Sequence, residues 1–207
     1  MIEQREVSKE IPLSTLVREF GPDLELNKEL ASMTSYGTGG RSRYFISAES
    51  AEAIARAVSA ARRLSLDYFL LGGGSNVLVS DDGYDGLVIK VDVRGIRLLD
   101  DKTIECGAGE DLMALVEFAA DNNLTGLEFA AGIWGTVGGA IYGNAGAFGG
   151  EIGRVLSEIT LVSPEGEIKT VSPDYCRFAY RDSYLKTTHE VVVSARFVLT
   201  PGDGKKI

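Results

Sequence analysis

The chain has 207 residues, of which 44% are hydrophobic and 25% are charged, so it fits one large or two small soluble globular domains. Its net charge of −9 argues against binding to nucleic acids or anionic membranes, although a local array of backbone amides can still bind a small anion. No segment has the pattern of a secretory signal or the length of a membrane span, so we expect a cytoplasmic protein. Cys106 and Cys176 are predicted to be packed thiols, and His189, the single histidine, offers no histidine-based metal cluster, so no metal site is predicted.

The first part of the sequence predicts a polar segment, then a strand and then a helix. Residues 1–30 are a charged lead-in, in which PLSTLVREFG at 12–21 favours a short helix. A short strand is predicted at 44–46. Ser47 is the expected N-cap of a helix that runs to about residue 64, because apolar residues recur on one face at helical spacing.

The later elements alternate between strands, hairpins and one more helix. The apolar run DYFLLGG at 67–73 predicts a buried strand, and GLVIKV at 86–91 predicts another. A hairpin is expected to turn at Asp100 and Asp101, and a second helix to run from Asp111 to about Asn122. The sequence SPEG predicts the turn of a second hairpin, and EVVVSARFVLT predicts a closing strand. These two segments lie at 163–166 and 190–200, respectively.

Glycine is over-represented and clustered. It accounts for 25 of the 207 residues, about 12% against a typical ~7%, and ten of these lie between Gly126 and Gly153. The run GGGSN at 72–76 would present consecutive backbone N–H groups that no side chain shields, with Ser75 and Asn76 as further donors. The pattern alone leaves a tight hairpin turn and a phosphate-binding loop both open. It is neither a Walker A loop nor a GxGxxG fingerprint, since no Gly-Lys-Ser/Thr follows it and no helix opens after it.

The second glycine cluster, residues 126–153, is mostly apolar and nearly uncharged. A solvated loop would be polar, so we expect this backbone to be buried or covered, and buried N–H groups need acceptors. A large flat ligand with a diphosphate would supply both cover and acceptors. A close-packed Gly/Ala region that serves only the fold is the alternative.

A third motif, FAYRDSYLK at 178–186, places Arg181 between aromatic and hydroxyl neighbours. A guanidinium in such a position suits bidentate binding of a carboxylate. An ordinary salt bridge to Asp182 or to a nearby glutamate explains the arginine equally well, and the residues leave both interpretations open.

Three segments in this order resemble the UDP-N-acetylenolpyruvoylglucosamine reductase family, flavin reductases of peptidoglycan precursor synthesis. They are LGGGSNVLVSDDGYDGLVI, AGIWGTVGGAIYGNAGAFGGEIG and YRDSYLK, and the resemblance covers about residues 34–200. The glycine loop with Ser-Asn is shared with the wider vanillyl-alcohol-oxidase-like flavin superfamily, and the other two segments narrow the choice to the reductase. The resemblance implies an α+β fold of the vanillyl-alcohol-oxidase/PCMH type, with FAD between two α+β subdomains. These would be a small α/β subdomain at 31–93 and a larger α+β subdomain at 94–200, with 201–207 as a linker to a C-terminal domain.

The resemblance also implies roles for individual residues. FAD would be bound by two groups: Leu71, Gly72, Gly73, Gly74, Ser75, Asn76 and Val77, and then Ala131, Gly132, Trp134, Gly135, Thr136, Gly138, Gly139, Asn144, Gly146 and Ile152. Arg181 would be the catalytic residue that binds the enolpyruvyl carboxylate and stabilises the enolate, with Tyr180 as a second substrate contact. NADPH would reduce the flavin, which would pass hydride to UDP-N-acetylglucosamine enolpyruvate. No nucleic acid, membrane or second copy is expected, so the chain is predicted to be a monomer.

The chain departs from the family pattern in two places. Trp134 stands where the family usually has proline, and its ring would either stack on the flavin or adenine or fill space that the cofactor needs. The family's proton-donating serine and assisting glutamate belong to a C-terminal domain that no stretch of this sequence matches. We therefore expect the chain to be a fragment of a longer reductase that binds FAD without completing the reduction, and a natural short relative with a changed role is the alternative. Another flavin oxidoreductase of the superfamily, acting on an alcohol or aldehyde, and a non-catalytic module are the alternatives.

Overall fold

A computed structural model describes residues 11–203 of the chain. The first ten residues of the predicted lead-in and the last four of the predicted linker lie outside the described residues. The helices are α1 (Leu13–Phe20), α2 (Ala51–Arg63), α3 (Leu112–Asp121), α4 (Val137–Tyr142) and α5 (Leu185–Thr188). The strands before α3 are β1 (Glu25–Glu29), β2 (Arg41–Ala48), β3 (Tyr68–Leu71), β4 (Tyr84–Val91), β5 (Ile96–Leu98) and β6 (Thr103–Gly107). Those after it are β7 (Leu124–Thr125), β8 (Gly146–Ala147), β9 (Gly150–Glu151), β10 (Leu156–Val162), β11 (Ile168–Val171), β12 (Val191–Val198) and β13 (Thr200–Pro201).

The first sheet has four strands in the order β1-β2-β4-β3. Its strand β1 comes from the segment interpreted as a polar lead-in. Helix α2 connects β2 to β3 and buries the predicted apolar face of Ile54, Val58 and Ala61. Its N-cap is Ser50, whose side chain accepts a hydrogen bond from the Ala53 N–H at 3.1 Å. The predicted cap at Ser47 was wrong, because the strand continues through that residue to Ala48.

Strand β3 lies at the edge of this sheet and runs parallel to β4. A hairpin between β3 and β4 is therefore excluded, because a hairpin joins antiparallel strands. The connection at 72–83 must instead carry the chain back along the sheet before β4 can begin. The edge position also corrects the prediction of a buried strand, since Leu71 is buried in β3 while Phe69 is exposed.

The second sheet has five antiparallel strands in the order β11-β10-β12-β6-β5. Both predicted hairpins are confirmed, β5 pairing with β6 and β10 with β11. In the second, Ser163 N–H donates to the Glu167 carbonyl at 2.8 Å. Helix α3 follows β6, and its predicted start is confirmed by Asp111, whose side chain accepts from the Met113 N–H at 2.7 Å.

One core cluster joins the two sheets. It contains Ile54 of α2 and Ile89 of β4 together with Ile159 of β10 and Phe197 of β12. A smaller cluster on the other face of the first sheet comprises Leu30, Phe45, Leu71 and Val88. The glycine loop at 72–76 begins beside this smaller cluster, directly after Leu71.

The two cysteines are buried, free thiols, as predicted. Burial raises the pKa of Cys106 to about 12 and that of Cys176 to about 11, so both remain protonated at neutral pH. Over residues 11–203 no group of three or more histidine, cysteine or acidic side chains is arranged to hold a metal ion. Within the same range, none of the helices combines the length and the apolar character that crossing a bilayer requires.

Candidate functional site

The two glycine clusters lie against each other. A Cβ added to Gly73 would be 3.1 Å from the Cα of Gly135, so the loop at 72–76 and the segment around residue 135 meet backbone to backbone. Gly74 has φ +66°, and a Cβ there would lie 1.9 Å from the Met33 carbonyl oxygen. Only glycine therefore fits at Gly74, both for conformation and for space. Ser75 ties the two segments together, because its Oγ donates to the Trp134 carbonyl at 2.9 Å.

Backbone N–H groups on both sides of this junction have no protein acceptor. Within residues 11–203 this applies to Gly73, Gly74, Ser75 and Asn76 on the first side, and to Trp134, Gly135 and Thr136 on the second. Backbone donors without a protein acceptor, concentrated on two adjoining glycine segments, are typical of an anion-binding site, because such N–H groups can donate to the oxygens of a bound group.

A cavity of about 230 Å³ opens at the junction. It is lined by Ser35, Ser75, Asp111, Met113, Gly132, Ile133, Trp134 and Gly135. Trp134 is 79% exposed, so its ring lies at the mouth of the cavity and does not fill it. Ser35 and Asp111 were not predicted for this site. Asp111 was predicted only as the start of a helix, and Ser35 carries no sequence signal of its own.

Helix α4 occupies the centre of the second glycine cluster and was not predicted. Thr136 is its N-cap and accepts from the Gly139 N–H at 3.3 Å. The expectation that this backbone is buried is only partly correct, since Ala131, Gly132 and Trp134 are exposed along with Gly139 of α4. The cluster therefore presents an open glycine-rich face beside the cavity.

The predicted cofactor and substrate residues fall into three classes of exposure. Exposed residues are Gly73, Asn76, Ala131, Gly132, Trp134, Gly139, Tyr180 and Arg181. Half-buried residues are Gly72, Ser75, Val77, Gly135, Gly138 and Gly146, and buried ones are Leu71, Gly74, Thr136, Asn144 and Ile152. The structure thus brings residues 72–76 and 132–136 together at one junction, with the other predicted residues in the elements behind and beside it.

Several predicted residues already have a packing role within the protein. A Cβ on Gly138 would lie 2.8 Å from the Ala108 Cβ, and one on Gly146 would lie 2.5 Å from the Gly150 carbonyl oxygen. Asn144 is buried and bridges three segments, donating to the Ala179 carbonyl at 2.9 Å and to Glu151 at 3.2 Å while accepting from the Gly153 N–H at 3.1 Å. Its side chain thereby holds the turn that carries Arg181 against the β8–β9 hairpin.

Arg181 lies at the tip of that turn. Ala179 and Asp182 exchange backbone hydrogen bonds of 3.0 and 3.1 Å, which leaves Tyr180 and Arg181 exposed between them. Asp182 pairs with Lys186 at 3.1 Å, and no ion pair within residues 11–203 includes Arg181. The structure therefore does not show the salt bridge that was one interpretation of Arg181. The Arg181 side chain is exposed to solvent instead.

Helix α4 links the cavity to the arginine turn. The Ser183 Oγ donates to the Tyr142 carbonyl at the last residue of α4, at 2.7 Å. A helix of six residues is about 9 Å long, so the turn lies roughly that far from the N-terminal end of α4, which borders the cavity. An extended ligand could therefore contact both the amide-lined junction and the neighbourhood of Arg181.

The fold and this junction define an FAD-binding domain. The chain belongs to the FAD binding domain family, whose model matches residues 42–172.

Its relatives narrow the class further. It is 40% identical over 183 residues to the UDP-N-acetylenolpyruvoylglucosamine reductase of Streptococcus mutans, a match that covers 88% of this chain and 60% of the relative. The crystal structure of UDP-N-acetylenolpyruvylglucosamine reductase (MurB) from Thermus caldophilus matches with a TM-score of 0.73 and 32% identity, covering 88% of this chain and 64% of that one. The resemblance drawn from the three motifs is thereby confirmed. The chain spans about 60% of the length of the curated relatives that it matches.

A more distant structure supports the fold. The 6-hydroxy-D-nicotine oxidase of Arthrobacter nicotinovorans aligns with a TM-score of 0.63 at 21% identity, over 86% of this chain and 39% of that one. With the family match, this confirms the predicted α+β fold of the vanillyl-alcohol-oxidase/PCMH type.

Proposed function

We propose that this chain is the FAD-binding portion of a UDP-N-acetylenolpyruvoylglucosamine reductase. The full protein would reduce UDP-N-acetylglucosamine enolpyruvate to UDP-N-acetylmuramate for peptidoglycan synthesis, with NADPH as hydride donor. The observation that carries the proposal is the junction of two glycine segments, where seven backbone N–H groups of residues 73–76 and 134–136 lack a protein acceptor within the described range. The predicted subdomains, residues 31–93 and 94–200, would each contribute one side of this junction.

The residues at the junction fit the diphosphate of FAD. Its oxygens need several donors and a close approach to backbone, and Gly73, Gly74 and Gly135 leave the backbone bare on both sides. Ser75 lines the same cavity and adds a hydroxyl. When bound, FAD would supply the hydride-transfer chemistry. The exposed face of α4, with Gly139 and Tyr142, would lie along the path from the junction to Arg181.

Arg181 would bind the carboxylate of the enolpyruvyl group. Its guanidinium is exposed and makes no ion pair within the described residues, so both edges of the fork are available to a carboxylate. Tyr180, also at the tip of the turn, is 90% exposed and would make a second contact with the substrate. Asn144 and Ser183 would act indirectly, by holding the turn against the β8–β9 hairpin and α4.

The proposal also covers the cellular location and the oligomeric state of the protein. Two buried free thiols suit a reducing cytoplasm, and we propose a cytoplasmic monomer. A non-catalytic module with a blocked pocket is less well supported, because the Trp134 ring that would block it is mostly in solvent. A different flavin oxidoreductase is less well supported, because the two relatives above that are more than 30% identical to this chain are both reductases of one kind.

The proposal is tested by incubating the purified chain with FAD and separating free from bound cofactor by gel filtration. We expect the protein fraction to carry the visible absorbance of oxidised flavin. An Arg181→Lys variant is the matched control and should retain flavin equally well, since Arg181 is assigned to the substrate. A protein fraction that stays colourless after incubation with FAD would contradict the proposed function.

A further inference from the structure

Lys90 is a half-buried cation that directly follows the apolar run at 87–89 of β4. Side chains alternate between the two faces of a strand, so Lys90 lies on the same face of β4 as Val88. Val88 belongs to the small cluster with Leu71, whereas Leu87 and Ile89 belong to the main core. Lys90 is therefore on the face of the first sheet that carries the glycine loop, and it pairs with Leu71, the residue before that loop.

Within the described residues, no carboxylate forms an ion pair with this ammonium group. Among residues 11–203, none of the ion pairs includes Lys90, and the nearby Asp92 is engaged by Arg94 at 2.6 Å. Burial lowers the pKa of Lys90, an effect that the charge of Asp92 opposes. A partly desolvated cation that makes no ion pair costs free energy, and a bound anion would recover part of that cost.

The ammonium group instead controls the orientation of the loop. Lys90 Nζ donates a hydrogen bond to the Gly72 carbonyl. In a trans peptide the C=O and the following N–H point in opposite directions, so this contact turns the Gly73 N–H away from Lys90. The Ser35 N–H holds the Gly74 carbonyl in the same manner at 3.1 Å, which directs the Ser75 N–H away from Ser35. Two of the unsatisfied amides are thus oriented by donors on the preceding carbonyls.

We propose that Lys90 is a positioning residue for the diphosphate of FAD. It holds the Gly72 carbonyl so that the Gly73 N–H remains available to the phosphate oxygens, and its positive charge stabilises the bound anion from behind the loop. This inference rests on the proposed function, because it names a residue that serves the same cofactor.

The test compares FAD dissociation constants, measured by flavin fluorescence titration, for the parent chain and four variants. Lys90→Arg keeps both the donor and the charge and should bind FAD within about threefold of the parent. Lys90→Met loses both and should bind about tenfold to a hundredfold more weakly, the range for losing a hydrogen bond from a charged group. Lys90→Gln keeps a donor without the charge and should fall between them. Lys102→Met, at an exposed hairpin turn, is the matched control and should leave the affinity unchanged.

The salt dependence of binding separates a role in holding the anion from a merely structural role, and circular dichroism checks that each variant folds. The affinity gap between the Arg and Gln variants should narrow as salt is raised, because screening weakens the charge effect. If Lys90→Met fails to fold in far-UV circular dichroism, the comparison of Arg with Gln decides. Equal FAD affinity of the Gln variant and the parent, or an Arg variant as impaired as the Met variant, would overturn the inference while the proposed function stands. A parent chain that binds no FAD would overturn the proposed function itself.

Discussion

Gly74 and Gly132 show how two glycines with similar backbone angles can differ in their requirement for glycine. Their φ angles are +66° and +80°, both in the left-handed region. A Cβ on Gly74 would lie 1.9 Å from the Met33 carbonyl oxygen, whereas a Cβ on Gly132 would meet nothing within 4 Å. Conformation constrains both positions, but only Gly74 is also constrained by space.

Alanine substitutions should therefore have different costs at the two positions. Gly132→Ala should lower the free energy of unfolding by about 1 kcal/mol, the cost of a left-handed alanine. Gly74→Ala should lower it by about 3 kcal/mol or more, because the loop must also move away from Met33. Urea unfolding of the two variants beside the parent measures the difference. Equal losses would show that the loop relaxes freely and that its packing against Met33 contributes little.

At the scale of elements, the sequence predicts helices and strands with a clear apolar period well, but it predicts poorly which elements lie beside each other in the fold. The apolar face of α2 and the start of α3 at Asp111 followed from local patterns. Helix α4 was missed because Gly138 and Gly139 disfavour a helix. The capping bond that the Gly139 N–H donates to the Thr136 hydroxyl, together with packing on Ala108, overrides that preference.

Contacts between segments that are far apart in the sequence could not be predicted from local patterns. The parallel pairing of β3 with β4 depends on where α2 returns the chain, so the local pattern of the glycine loop left a hairpin turn open. The contact of Lys90 with the Gly72 carbonyl depends on that same pairing. In the candidate site, the glycine loop, Arg181 and Trp134 were recognisable from motifs, whereas Lys90, Ser35 and Asp111 reach it through the tertiary fold.

The segment that carries Arg181 is held to the second sheet by a buried carboxylate. Glu190, the residue before β12, is 3% exposed and accepts hydrogen bonds from Tyr175 and Thr188 at 2.8 Å each, besides its ion pair with Lys169. Burial alone would raise the pKa of Glu190, but the bonds from Lys169, Thr188 and Tyr175 outweigh it, so the pKa lies below its ordinary value. Ionised Glu190 therefore stabilises the fold above the ordinary carboxyl range, and this contribution is lost as the pH falls through the lowered pKa.

Glu190→Gln should accordingly lower the free energy of unfolding by about 2 kcal/mol at neutral pH, the cost of weakening several bonds to a buried charged group. The difference from the parent should shrink as the pH falls below the ordinary carboxyl range, since the parent then loses the same contribution. Urea unfolding across this pH range measures it. Glu25→Gln, which breaks an exposed pair with Lys28, is the control and should change stability by less than about 1 kcal/mol at any pH. A loss at Glu190 that does not vary with pH would assign the effect to packing instead of charge.

At the scale of the whole molecule, the two sheets form one structural unit. The main core cluster runs from α2 and the first sheet into the second sheet without interruption. The candidate cavity draws its lining from both sides, with Ser35 and Ser75 from the first and Gly132 to Gly135 from the second. A ligand in this cavity should stabilise both sheets together, because separating them would destroy its binding site.

Unfolding of the chain should therefore be a single cooperative transition that FAD moves as a whole. With free FAD at about 100 times its dissociation constant, the free energy of unfolding should rise by about 2.7 kcal/mol, as mass action requires for a ligand that binds only the folded state. Thermal unfolding followed by far-UV circular dichroism and by Trp134 fluorescence tests this, since the second signal reports on the junction. Riboflavin, which lacks the diphosphate, should at equal concentration stabilise the chain much less, because it cannot occupy the amides of residues 73–76. Two separate transitions, only one of which responds to FAD, would show that the cofactor is held by one sheet and would argue against a site between the two glycine segments.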